Sequence, residues 1–265
     1  MRAQREPANV HVWLENHGPD HLSKEMVKVG IDKTVLVEAW DYDIDLNLHW
    51  MERAEELDIV GAVIGWADPF DPKLSSLLDA YMEFKKFRGV RFRGRFVSDP
   101  DWLRKPEVHS AIRKLSSRKG LSLDLHISKS LLTELPLLAA ANPDLPMVLN
   151  HLSNPQLDEP GYFEPWANLM RPLNNIPNLY FKVSAITEFA GPEPTVELLR
   201  PVAQFMVNTY GCDRLMYGSN WPVCRTATEY QETFELTMGA VGRLSQTDQS
   251  RILGGTAAKY YRINK

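Results

Sequence analysis

The sequence predicts an α/β fold, a closed (β/α)8 barrel formed as a single domain over residues 1–265. Three observations lead there. Eight short apolar runs alternate with longer amphipathic ones, the pattern of a parallel sheet flanked by helices. No glycine-rich phosphate loop follows the first strand, where Val12, Trp13, Leu14 and Glu15 stand instead, so an open doubly wound nucleotide-binding sheet is disfavoured. The length of 265 residues suits one barrel of about 250 residues, and neither a low-complexity linker nor an internal repeat divides it.

Asn9 to Trp13 alternates in the manner of a first strand. His21 to Gly30 has helical spacing and closes on a glycine able to take the left-handed cap. Thr34 to Ala39 is β-branched and apolar, a second strand ending at Glu38, and Leu46 to Leu57 returns to helical period. Ile59 to Ile64 forms the third strand and leads into Trp66 and Asp68; a helix then spans Leu74 to Phe87. Gly89 to Phe92 is a short fourth strand, and a helix over Glu107 to Lys119 precedes the fifth, Leu121 to His126. Leu131 to Ala141 is helical, and Pro146 to Leu149 is the sixth strand, delivering Asn150 and His151 at its end. A helix over Tyr162 to Leu173 leads to strand seven, Leu179 to Val183. Thr195 to Tyr210 is helical, Leu215 to Tyr217 is strand eight, and helices over Ala227 to Val241 and Gln246 to Tyr260 finish the chain.

A hydrophobic fraction of 44% is enough for a substantial core in a soluble protein. The net charge of −4 is spread over scattered residues of both signs, which argues against nucleic acid and against a membrane surface as partner. No apolar run approaches the ~18 residues of a membrane span, and Met1 to Pro7 lacks the apolar centre of a signal peptide. A cytoplasmic protein with a small-molecule substrate is expected, and a homo-oligomer is compatible with the composition. Cys212 and Cys224 lack C-x-x-C spacing and are expected as reduced thiols.

The carboxyl ends of barrel strands face the substrate, so the polar residues at those positions are the candidates. Strand one gives Asn9 and His11, strand two Glu38, strand three Trp66 and Asp68, and strand four Arg91 and Arg93 with Arg95 beyond. Strand five gives Asp124 and His126, six Asn150 and His151, seven Lys182 and Ser184, and eight Asn220 followed by Trp221. His11, His126, His151 and Asn220 are the candidate catalytic groups. Arg91 and Arg93, two apart and so on one face, have guanidinium groups that match a carboxylate bidentately. With Glu38 and the aromatic walls Trp66 and Trp221 they are the candidate substrate-binding set. His17, His21, His49 and His109 fall in loops or on helices and read as surface residues.

The runs 9–13, 34–39, 64–66, 89–91 and 148–152, with Leu215-Met-Tyr-Gly-Ser-Asn-Trp-Pro-Val223, resemble the amidohydrolase-2 family, and within it the sugar-lactone and pyrone-dicarboxylate lactonases. The resemblance spans essentially the whole chain and includes the closing run Ile252 to Tyr260. It implies a distorted (β/α)8 barrel, hydrolysis of a small cyclic ester, and often little dependence on a metal. It also exposes two departures. The family opens with His-x-His-x-Trp, and Asn9 replaces the first histidine. The family carries Asp in Gly-Ser-Asp-Trp-Pro, acting on water as general base or holding a metal, and here that residue is Asn220.

An amide has no protonation equilibrium near neutral pH, so Asn220 can orient water but cannot take its proton. Asn9 removes a strong metal ligand, and no metal or other cofactor is expected. The leading expectation is a metal-independent hydrolase acting on a small lactone or related cyclic carbonyl compound, with His151 or His126 handling the proton. The alternatives are a lyase or isomerase, a silent binder on the same barrel, or an Asp→Asn substrate-trapping variant.

Overall fold

The computed structural model describes residues 12, 14–38 and 43–263. Seven parallel strands form one sheet in sequence order: β1 (Thr34–Val37), β2 (Val60–Trp66), β3 (Phe87–Gly94), β4 (Ser122–Ile127), β5 (Met147–Leu149), β6 (Leu179–Val183) and β7 (Leu215–Tyr217). They are the second to eighth strands expected from the sequence. The expected first strand, 9–13, lies outside the described residues apart from Val12. Helices α1 (Pro19–Lys28), α2 (Ile44–Glu55), α3 (Leu74–Met82), α4 (Pro106–Ser116), α5 (Leu135–Ala140), α6 (Phe163–Met170), α7 (Val196–Tyr210), α8 (Tyr230–Val241), α9 (Gln246–Ser250) and α10 (Thr256–Tyr261) supply the crossovers and the close. No described helix is long and apolar enough to cross a membrane.

Alternation along each strand sorts its side chains onto two faces. Val90 and Phe92 of β3, Leu123 and Leu125 of β4, Phe181 of β6 and Leu215 of β7 join the main core against the helices. Each such side chain contributes roughly 1.5–3 kcal/mol by leaving water. The opposite face gathers Ala62, Ile64, Val148 and Met216 with Tyr260 and Tyr261 in a second cluster. Residues of β2, β5 and β7 meet there only because the sheet is curled. Helix α10 closes the interior by inserting its two tyrosines, and Tyr261 donates its hydroxyl to Asp124 Oδ1 at 3.1 Å.

Register then fixes the polar layer on this inner face. Arg91 lies opposite Asp124, and Arg93 opposite His126. Gly89, one step below in the alternation, has no room for a side chain, because a Cβ there would lie 2.1 Å from the Ser122 carbonyl oxygen.

Several helices differ from the sequence expectation, among them 162–173, which ends at Met170 and passes into a 3-10 segment, Arg171–Asn175. The helix expected to reach Phe87 ends at Met82, because Phe87 pairs with Val63 as the first residue of β3. The helix over 131–141 divides into a 3-10 segment, Lys129–Glu134, and α5. Pro136 lacks the amide that a continuous helix needs and is tolerated only in a first turn. The closing helix is interrupted by a π-turn, Arg251–Gly255, ending on the glycine pair Gly254 and Gly255, a common cause of such breaks. Cys212 and Cys224 are free and buried.

Candidate active site

Glu38 ends β1 with its side chain buried beneath two arginines of β3. Arg93 holds the carboxylate with both faces of its fork, through Nε to Oε1 at 2.6 Å and Nη2 to Oε2. Arg91 Nε stands 3.2 Å from Glu38 Oε1, an ion contact without hydrogen-bond alignment. Burial pushes the Glu38 carboxyl up, and the guanidinium groups of Arg91 and Arg93 pull it back down. Three of the five residues expected to bind substrate are therefore together, but the arginines are engaged by an acid of the protein. Arg95 has a different setting. It is half-buried, its guanidinium lies 5.3 Å from the Phe96 ring centroid and 5.8 Å from that of Phe189, and no carboxylate of the described residues pairs with it.

A second cluster joins β4, β5 and β6. The rings of His126 and His151 meet edge to face with centroids 5.0 Å apart. His151 Nδ1 is 2.8 Å from Ser184 Oγ, while His126 Nε2 is buried without a hydrogen-bond partner among the described residues. Beneath them Lys182 Nζ donates to Asp124 Oδ2 at 2.5 Å. Burial, then the positive charges of Arg91, Arg95, Arg93 and Lys182, drives the His126 imidazole down to about 2. His151 is held well below its ordinary value, first by burial and then by His126, Arg91, Lys182 and Arg95.

Burial and the surrounding cations thus disfavour the charged form of both imidazoles. Both shifts favour the neutral form of the ring, the form that accepts a proton at one nitrogen and donates from the other. Each can still donate one N–H to a carbonyl or a water. His151 also opens a left-handed turn, with φ of 54°, 51°, 56° and 57° for residues 151 to 154. Four consecutive non-glycine residues in that region are strained, and such strain concentrates at functional sites. A cleft lined by Lys129, Asn154, Gln156, Glu159, Tyr162 and Trp166 lies beside this turn and holds none of the sequence-predicted residues.

The end of β7 forms the third part. Gly218 donates its amide to the Val183 carbonyl at 3.1 Å, and a Cβ on it would lie 3.0 Å from Ser184 Cβ. Glycine thus lets the end of β7 approach the serine that holds His151. Asn220 follows with φ of 56°, a conformation asparagine tolerates better than most residues. Its Nδ2 donates to Glu188 Oε1 at 2.6 Å, and the other oxygen of Glu188 accepts from Thr187 Oγ1 at 2.6 Å.

Glu188 was not among the expected site residues, because it lies in the loop after β6 and not on a strand end. The available signal was a lone acid inside the apolar stretch Val183 to Ala190.

The aromatic walls divide. Trp66 stands opposite Arg91 in the register and so shares its face. Trp221 packs edge-on against His17 at 5.4 Å and His21 at 5.6 Å. These two histidines, expected as plain surface residues, are half-buried against that ring in the turn after β7; His49 is exposed. His11 lies outside the described residues, as do Asn9, Trp13 and Trp40. Among the described residues no three His, Cys, Asp or Glu side chains gather as a metal cage.

The chain matches the amidohydrolase family model, Amidohydro_2, over residues 11–263. The L-fucono-1,5-lactonase of Burkholderia ambifaria is 27% identical over 263 residues, spanning 98% of this chain and 90% of that protein. An uncharacterized protein of Sinorhizobium fredii, y4mH, is 31% identical over 223 residues, spanning 81% and 74%. A crystal structure of an amidohydrolase from Burkholderia multivorans with bound zinc has a TM-score of 0.88 at 26% identity, covering 97% of this chain and 92% of that one. The curled parallel sheet is thus a distorted barrel of the amidohydrolase kind, and this chain belongs to the amidohydrolase family.

Proposed function

We propose that the protein is a lactonase-type hydrolase that opens a small cyclic ester carrying a carboxylate or other oxyanion. The observation that carries this reading is the edge-to-face pair of imidazoles, His126 and His151, set among the cations Arg91, Arg93, Arg95 and Lys182. Among the described residues Glu38 pairs with Arg91 and Arg93, and Asp124 with Lys182, while Arg95 rests on aromatic rings, and this cation favours an oxyanion at the inner face. That charge also stabilises the alkoxide that forms when a carbonyl is attacked. The neutral His126 and His151 can donate N–H groups to the same oxygen without an acid of their own. Family membership and the kinship to an L-fucono-1,5-lactonase support ester-ring opening over other chemistries.

Zinc is bound in the Burkholderia multivorans relative. The donors of the described residues do not fit a resident zinc: two histidines stand together without a neighbouring third ligand, and position 220 offers an amide. No step of the reading passes through a metal. The test uses the purified protein before and after dialysis against a chelator, with L-fucono-1,5-lactone and related five- and six-membered lactones, following proton release. Ring opening that survives chelation is expected. Failure to open any lactone would sink the hydrolase reading, and activity lost on chelation and returned by zinc would sink its metal-free part.

A further inference from the structure

We propose that Glu188 is the general base of this site, with Asn220 as the residue that positions it. The inference rests on the hydrolase reading above and names the group that reading lacks.

The argument begins with what surrounds the carboxylate. Glu188 is in the 3-10 turn Glu188–Ala190, five residues beyond β6. Its two oxygens accept from one side-chain amide, Asn220 Nδ2, and one hydroxyl, Thr187 Oγ1, with its own backbone amide as a further and weaker donor. No lysine or arginine of the described residues pairs with it. Its negative charge reaches Tyr217 and Cys224, whose own values are pushed up first by burial. A carboxylate placed there for stability alone would have a cation or several backbone amides, since an unpaired buried charge is unfavourable. Burial instead pushes the Glu188 carboxyl up from its ordinary range, the direction that makes it a stronger base.

Position completes the case. The amide that replaces a carboxylate after β7 is in direct contact with a carboxylate from the loop after β6. Asn220 cannot accept a proton, yet its amide fixes the one neighbour that can. An aspartate at 220 would put two carboxylates in contact, and like charges at that distance cannot both ionise. The asparagine and the glutamate therefore make sense as a pair. Asn220 ties Glu188 to the rest of the site: Gly218, two residues before Asn220, lies against Ser184, whose hydroxyl holds His151.

The step balances without a co-reactant. Glu188 takes one proton from water as the water oxygen bonds to the lactone carbonyl carbon, and the carbonyl π-pair moves onto oxygen. The resulting oxyanion is held by the cationic face. Its collapse breaks the ring C–O bond, and the departing alkoxide takes the proton from Glu188. The products are the open hydroxy acid and the regenerated carboxylate.

The experiment compares wild type, Glu188→Gln, Asn220→Asp and the double variant Glu188→Gln/Asn220→Asp on L-fucono-1,5-lactone and the related lactones. It reads kcat/KM against pH, with circular dichroism to check folding. Glu188→Gln should keep the fold and lose about 10²–10⁴-fold in kcat/KM, the usual contribution of general base catalysis, together with the acid limb of the profile. Asn220→Asp should move the acid limb to higher pH, because one of the two touching carboxylates stays protonated. The double variant, with its carboxylate moved from 188 to 220, should recover part of the lost activity.

An active wild type whose Glu188→Gln variant keeps its rate and its acid limb overturns the assignment alone. A wild type inert to every lactone overturns the hydrolase reading, and the assignment with it.

Discussion

The carboxylate of Glu38 lies between Arg93, which grips it through two nitrogens, and Arg91, 3.2 Å from the same group. The side chains of the two arginines are 8% and 12% exposed, so this acid is the counter-ion of a nearly dry cationic pair. Removing one partner of a buried ion cluster leaves uncompensated charge, at a cost of about 3–5 kcal/mol. Glu38→Gln should lower the unfolding free energy by that order in urea titrations, and Glu38→Asp by less. A Glu38→Gln variant as stable as wild type would show that the cluster contributes nothing to the fold.

Arg95 is the cation with no acid partner among the described residues, and its face rests on Phe189, next to Glu188. It is therefore the arginine best placed to meet an incoming oxyanion. Arg95→Met should raise KM for a carboxylate-bearing lactone by about 10–100-fold, taking a charge-assisted hydrogen bond at about 1.5–3 kcal/mol. The same change should leave KM for an uncharged lactone within about threefold. Steady-state kinetics on the matched pair of substrates decides the matter, and an equal effect on both would assign Arg95 to packing.

Neutral His126 and His151 make stability depend on pH with a definite sign. Their folded values lie below the ordinary 6.5, so below that pH the unfolded chain binds more protons than the folded one. Stability then falls as pH drops through 6.5 toward the folded value, which for His126 is about 2. Each histidine contributes a slope of about 1.4 kcal/mol per pH unit. Glu38 and Glu188 act oppositely, because their raised carboxyls bind protons in the folded state first. The difference between wild type and His126→Gln isolates the one group. Between pH 6 and 5, urea titrations should show the wild type losing about 1.4 kcal/mol more than the variant, and parallel pH curves would refute the neutral buried imidazole.

Seven strands and their order were legible in the sequence because each is an apolar run of one period, bounded by glycine, proline or polar residues. The polar layer was legible for the same reason: a two-residue spacing puts Arg91 with Arg93, and Asp124 with His126, on one face. What periodicity cannot carry is which charges neutralise one another. Arg91 and Arg93 read as free cations until the fold brings Glu38 beneath them, and Asp124 meets Lys182 and Tyr261 across 58 and 137 residues of chain. Glu188 escaped for a related reason. It lies past a strand end in a turn, and its meaning comes from contact with Asn220, 32 residues away.

Ser184 is the contact through which β6 orients His151. Its hydroxyl lies 2.8 Å from Nδ1 and its backbone continues into Ala185, which has φ of 58°. The turn carrying the serine is thus set by strain as well as by the hydrogen bond. A neutral imidazole has one donor and one acceptor nitrogen, and a partner on Nδ1 decides which tautomer presents Nε2 to the substrate. Loss of the hydroxyl removes a net ~1 kcal/mol from stability, a small change in a well-packed core. The effect on rate should be larger, because a ring free to turn no longer holds its N–H where the oxyanion forms. Ser184→Ala should therefore lower kcat by about 10-fold or more at little change in KM, within the range for a mispositioned electrophilic donor. Ser184→Thr would keep the hydroxyl but press an added methyl toward Gly218, so its ring contact should survive only with displacement of β7. Kinetics of both variants, with the histidine ring signals followed by NMR, provide the check. Unchanged kcat in Ser184→Ala would mean that His151 is oriented by its own strained backbone and owes nothing to the serine.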